Sequence, residues 1–79
     1  MVGFIAISKA GHDKGHTYLI VKSDDKYVYL SDGRIKKVDS PKKKKIKHIQ
    51  VVKTDYSYGN NITDAVVVKG IKDFIKSTL

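Results

Sequence analysis

Residues 34–53, RIKKVDSPKKKKIKHIQVVK, set Arg34, Lys36, Lys37, Lys42, Lys43, Lys44, Lys45, Lys47 and Lys53 beside a single acid, Asp39. This excess equals the net charge of the whole chain, +8, so the remaining residues balance to zero. Cations confined in this way can neutralise the phosphates of a polyanion, and RNA is the foremost candidate. Lysine far outnumbers arginine here, which favours point-charge contacts to phosphates over bidentate reading of base edges. Binding of this kind follows backbone and shape more than sequence. The bland alternative is a solvated lysine run that keeps a small protein soluble. Its concentration beside Arg34, Lys36 and Lys37 tilts the reading toward a binding surface.

A second group is Gly11-His12-Asp13-Lys14-Gly15-His16. Glycine accepts positive φ and lets the backbone approach another surface closely. Exposed amides near Gly11 and Gly15 could therefore face a phosphate, with Lys9 and Lys14 adding charge; the alternative is a loop that only turns the chain. His12 and His16 stand four apart, which shares a face only in a helix, and no cysteine or glutamate is present to complete a shell, so no metal is expected. His48 lies among lysines, where it contacts RNA or packs beside a strand. Tyr18, Tyr27, Tyr29, Tyr56 and Tyr58 could stack on unpaired bases or fill a core; Tyr27 and Tyr29 are the better stacking candidates and Tyr18 the better core residue. No serine–histidine–acid set is legible, so neither catalysis nor a cofactor is expected.

The elements that must carry these residues are short. Val2–Ser8, Thr17–Lys22, Tyr27–Leu30, Arg34–Val38 and Ile46–Val52 read as five strands, with Asp32-Gly33 as a hairpin turn and Pro41 with the lysine run as a loop. In Tyr27–Leu30 the alternation sets Val28 and Leu30 on one face and the tyrosines on the other. Five such strands joined by tight turns suggest a mainly β small barrel. Residues 54–61 read as a connecting loop. A C-terminal helix over 62–78 follows, with Thr63 as N-cap, Asp64 in the first turn, and an Ile62–Val67 staple. Val67, Ile71, Phe74 and Ile75 form its apolar face; Val66-Val67-Val68 and Gly70 weigh against helix.

The stretch AISKAGHDKGHTYLIV resembles the KOW motif, a strand–loop–strand unit of ribosomal proteins and transcription elongation factors. Gly11, Lys14 and Gly15 match its Gly, two residues, Lys-Gly pattern, while Tyr18 stands where many such motifs have a further glycine. With DGRIKKV and PKKKKIKHIQ, the likeness extends to small bacterial KOW-domain RNA-binding proteins related to archaeal and eukaryotic large-subunit ribosomal proteins, across about residues 4 to 50. The resemblance implies an SH3-like β-barrel and RNA binding.

At 79 residues the chain has room for one domain: a barrel over 1–53, the loop over 54–61 and the helix. The absence of cysteine suits a reducing cytoplasm, and the N-terminus does not read as a signal peptide. The purely apolar runs, such as Phe4–Ile7 and Ala65–Val68, reach only four residues, far too short to cross a membrane. The expectation is a cytoplasmic, monomeric protein bound to structured RNA such as ribosomal RNA, and in contact with ribosomal or transcription proteins. Its contacts are Lys9, Gly11, His12, Lys14, Gly15, Arg34, Lys36, Lys37, Lys42–Lys45, Lys47 and His48. The rival reading is an interaction module for an acidic protein partner. Attachment to an anionic membrane is weaker, because Pro41 interrupts the basic segment and no amphipathic helix lies there.

Overall fold

Alternation of apolar and polar residues gives this chain strands with two usable faces, and a computed structural model describing residues 1–54 and 61–78 resolves how they are used. The elements are β1 (Ile5–Ser8), β2 (Thr17–Ser23), β3 (Tyr27–Ser31), β4 (Lys42–Lys45), a 3-10 turn (Ile46–His48), β5 (Ile49–Val52) and α1 (Asp64–Ser77). The protein is mainly β: five antiparallel strands form one sheet in the order β4-β3-β2-β1-β5, with a C-terminal helix.

The edges β4 and β5 are separated in sequence by three residues only. In a flat sheet, edges four strands apart would be roughly 19 Å distant, whereas three residues of 3-10 helix rise only about 6 Å. The sheet must therefore curl. Two backbone bonds hold the curl, from Ile46 N to Lys26 O at 2.9 Å and from Lys9 N to His48 O at 2.8 Å. No ladder joins β4 to β5 among the described residues, so the closed barrel expected from the sequence is corrected to an open, strongly bent sheet.

Each face has its own core. Ala6, Tyr18, Ile20, Val28, Leu30 and Ile49 fill the inside of the bend, with Phe4, Ile46 and Val51 packed against them. Ile5, Leu19 and Val67 form the second core between sheet and helix, flanked by Ile7, Val21, Val38, Val52, Ile62, Ile71 and Phe74. Tyr18 is 3% exposed, a core residue as its surroundings in the sequence suggest.

Residues 34–38 are not a strand. Asp32 Oδ1 accepts from Arg34 N and Lys36 N, both at 2.9 Å, and Ser31 Oγ donates to Lys36 O at 2.7 Å. These local side-chain bonds coil the backbone and compete with a ladder. Burial tends to raise the Asp32 carboxyl, but the backbone donors outweigh it and hold it below its ordinary range. The strand expected there falls instead on Lys42–Lys45, paired with β3 as Leu30↔Lys42, Tyr29↔Lys43, Val28↔Lys44 and Tyr27↔Lys45. Likewise the expected strand over 46–52 begins with the 3-10 turn and is extended only from Ile49.

The helix starts where capping chemistry predicts. Thr63 Oγ1 accepts from Val66 N at 3.2 Å, and Asp64 Oδ1 accepts from Val38 N at 2.8 Å, tying the 32–41 loop to the first turn. Val67 is fully buried, and Ile62 packs on the same cluster, the arrangement of a staple. Ile75 is 45% exposed, so the apolar face expected from the sequence narrows to Val67, Ile71 and Phe74. Thr63→Ala should cost about 1 kcal/mol in a urea titration. An unchanged midpoint would mean that tertiary packing alone sets the helix start.

Candidate nucleic-acid interface

Pleating divides the lysine run, because successive residues of a strand point to opposite sides. Lys43 and Lys45 are exposed and Lys42 and Lys44 half-buried. Lys44 lies opposite Val28 in the inner layer, and its ammonium meets Asp13 Oδ1 at 2.7 Å, Ser8 Oγ at 2.7 Å and Ala10 O at 2.9 Å. An ammonium has three N–H donors, and here each has its acceptor. Lys42 donates to Asp13 Oδ2 at 2.8 Å.

Asp13 is therefore the hub of the site. It also accepts from Ser8 Oγ at 2.8 Å and from the Tyr18 hydroxyl at 2.9 Å, with its side chain 11% exposed. Burial works to raise the Asp13 carboxyl, but hydrogen bonds from Lys42, Lys44, Ser8 and Tyr18 overcome it and hold the group far below the usual carboxylate range. Burial, reinforced by the same carboxylate, pushes the Tyr18 hydroxyl up to about 12. Among the described residues, these two lysines are the ones in ion pairs.

The glycine loop folds around this hub. Gly11 and Gly15 have φ of 84° and 89°, the left-handed conformation their residue type favours. The Gly15 amide donates to Ser8 O at 2.9 Å and the Lys14 amide to Gly11 O at 3.3 Å. The Gly15 amide is thus committed within the loop, and the expectation that it faces a phosphate is corrected. Lys9, His12 and Lys14 remain exposed at the loop's surface.

The other expected contacts sort by position. Lys43, Lys45 and Lys47 are exposed along β4 and the 3-10 turn, with His48 half-buried beside them. Arg34, Lys36 and Lys37 are exposed on the 32–41 loop, where Ile35 is 84% exposed between them. Lys42 and Lys44 leave the set of free cations. Asp13 fastens the glycine loop to β4 through Lys42 and Lys44, which fixes the two lysine-bearing segments relative to each other. The sequence reading did not single out Asp13, since the lysine partners that make it a hub lie 29 and 31 residues away.

The tyrosine face adds a second type of group. Tyr27 and Tyr29 are half-buried and point away from Val28 and Leu30, on the side of Lys43 and Lys45. Lys43 Nζ stands 4.3 Å from the Tyr27 ring centre, and Lys22 Nζ stands 5.4 Å from that of Tyr29, within cation–π range. The register shift between Ile20 and Lys22 makes the second contact possible. Without that bulge, Lys22 would fall opposite buried Val28; with it, Lys22 pairs with Tyr29. His16 stacks on Tyr18, with ring centres 5.9 Å apart. The expected stacking roles of Tyr56 and Tyr58, and most of the expected connecting loop, lie outside the described residues.

No protein-family model matches the chain, and none of the curated proteins compared with it does either. Among the described residues, no helix is long and apolar enough to cross a membrane.

Proposed function

We propose that this chain is a non-catalytic, cytoplasmic RNA-binding protein that engages structured RNA, of the ribosomal kind, by backbone and shape. The observation that carries this reading is the sorting of the lysines. Two are turned inward to fasten the glycine loop to β4, while Lys43, Lys45 and Lys47 are exposed, and Lys9 and Lys14 are exposed on the loop that this fastening holds in place. A strand presents cations at a fixed spacing of about 6.6 Å for alternate residues, comparable to the separation of successive phosphates along a nucleic-acid strand. The KOW-like residues Gly11, Lys14 and Gly15 supply the bend that brings Asp13 to the lysines.

The test is a salt titration against an RNA duplex, comparing Lys43→Gln/Lys45→Gln/Lys47→Gln with the parent protein. Each lost phosphate contact should reduce the log–log salt slope by about 0.7 to 0.9, so the triple variant should lose roughly 2 to 3 from it while unfolding at the same urea concentration. An unchanged slope would remove β4 from the interface. Full competition by an acidic peptide of equal charge, with RNA shape making no difference, would favour the protein-interaction reading.

A further inference from the structure

We propose that the groove between the β2–β3 turn and the junction of β4 with the 3-10 turn holds one unpaired RNA base, preferring guanine. This rests on the RNA reading above and goes beyond it, because phosphate contacts alone carry no base preference. The groove has a volume of about 540 Å3, within the range of roughly 300–1,000 Å3 typical of small-ligand sites, and is lined by Asp25, Lys26, Tyr27, Lys45, Ile46 and Lys47.

Its chemistry is divided. Tyr27 and Ile46 supply its apolar lining, and Lys26, Lys45 and Lys47 supply cations. Lys43, whose ammonium sits 4.3 Å from the centre of the Tyr27 ring, does not line the groove, so the part of the ring that does is open to a base. An electron-rich purine suits a ring already polarised by a cation.

Both walls are fastened. Asp24 Oδ1 accepts from Lys26 N at 2.9 Å and Tyr27 N at 2.8 Å, which lowers the Asp24 carboxyl and fixes the turn. Ile46 N donates to Lys26 O at 2.9 Å, fixing that turn to the far wall.

Asp25 is the residue that a phosphate site does not explain. It lines a groove with three lysines, it makes no side-chain hydrogen bond among the described residues, and it repels phosphate. An ionised carboxylate only accepts, through two adjacent oxygens. Guanine alone among the four bases offers two adjacent donors, N1–H and the N2 amino group, on one edge. That edge is engaged in a paired helix, so the pocket selects loops and bulges.

The experiment uses four RNAs of matched length, read by fluorescence anisotropy at one salt concentration. Three are hairpins with a common stem and a uridine loop, carrying at the loop centre a uridine, a guanosine or an inosine, which lacks the N2 amino group. The fourth is a blunt duplex. The guanosine loop should bind about tenfold tighter than the uridine loop, with inosine losing most of that gain. Asp25→Asn should erase the guanosine preference without weakening duplex binding. Tyr27→Leu should lower loop affinity about tenfold and spare the duplex, and Tyr27→Phe should retain it. Equal affinity for the three loops, or equal losses for loop and duplex in Tyr27→Leu, would overturn the base pocket and leave duplex binding standing. If no RNA of the four binds at low salt, the RNA reading itself fails. Should Tyr27→Leu not fold, the inosine comparison and Asp25→Asn, on an exposed turn, decide the matter.

Discussion

Replacing Asp13 by asparagine should destabilise the protein by about 3–5 kcal/mol, the cost of leaving a buried charge without its partner. The Lys44 ammonium, with its side chain 10% exposed, would keep Ser8 Oγ and Ala10 O but lose its counter-charge. Lys42 contributes less, because at 33% exposure water screens it. For a domain of 79 residues a loss of that size is a large fraction of total stability. Urea unfolding followed by circular dichroism gives the value, and a loss below about 1 kcal/mol would refute the hub. Pairing Asp13→Asn with Lys44→Met should recover much of the loss, since removing both members of a buried pair costs far less than removing one.

The pH dependence has a definite sign. The Asp13 carboxyl lies below its unfolded value of roughly 3.9, so below that pH the unfolded chain takes up a proton that the folded one refuses. The stabilisation is fully present above about pH 5 and falls as acid is added, by up to about 1.4 kcal/mol per pH unit. Asp24 and Asp32 also titrate low, so the parent and Asp13→Asn should be compared: the difference between their stabilities should shrink below pH 4. A difference constant down to pH 2 would mean that Asp13 does not hold its proton off.

Gly33→Ala should be the most damaging small substitution in the 32–41 loop, at about 2–4 kcal/mol. Two effects combine there. Gly33 has φ of 75°, which costs a residue with a Cβ roughly 1–2 kcal/mol. A Cβ would also lie 2.5 Å from Asp64 O and 2.8 Å from Val68 Cγ2, against the first turns of α1. The carbonyl is backbone, so relief requires the loop and helix to part. Gly15→Ala is the control: its φ is 89°, yet nothing stands within 4 Å of the added carbon, so it should show the backbone cost alone, about 1–2 kcal/mol. Equal losses for the two variants would mean that the close approach of loop to helix contributes nothing.

Local chemistry is readable along the chain, and long-range pairing is not. Thr63, Asp64 and the Ile62–Val67 pair marked the helix start because capping is local, decided within five residues. Four strands were visible through β-branched and apolar alternation. The fourth in chain order was not, since four identical lysines carry no alternation to read, and Lys42–Lys45 became a strand through pairing with β3. Asp32-Gly33 was recognised as a turn, but its positive φ serves the approach to α1 rather than a hairpin. The concentration of charge in one segment was legible from composition alone. Which of its lysines are free was not, because that follows from Asp13 in a distant loop.

The inward half of β4 also limits which amino acids the site can hold. Three acceptors surround the Lys44 ammonium, at 2.7, 2.7 and 2.9 Å, in an enclosure shaped for a compact tetrahedral cation. A guanidinium is planar, wider and forked, and cannot direct its donors at that set without moving Ser8 or the loop carbonyl. Arginine is therefore excluded at 44, whereas the exposed side chains at 43 and 45 leave room for a guanidinium. Four neighbouring positions with one letter in common obey two different rules of substitution.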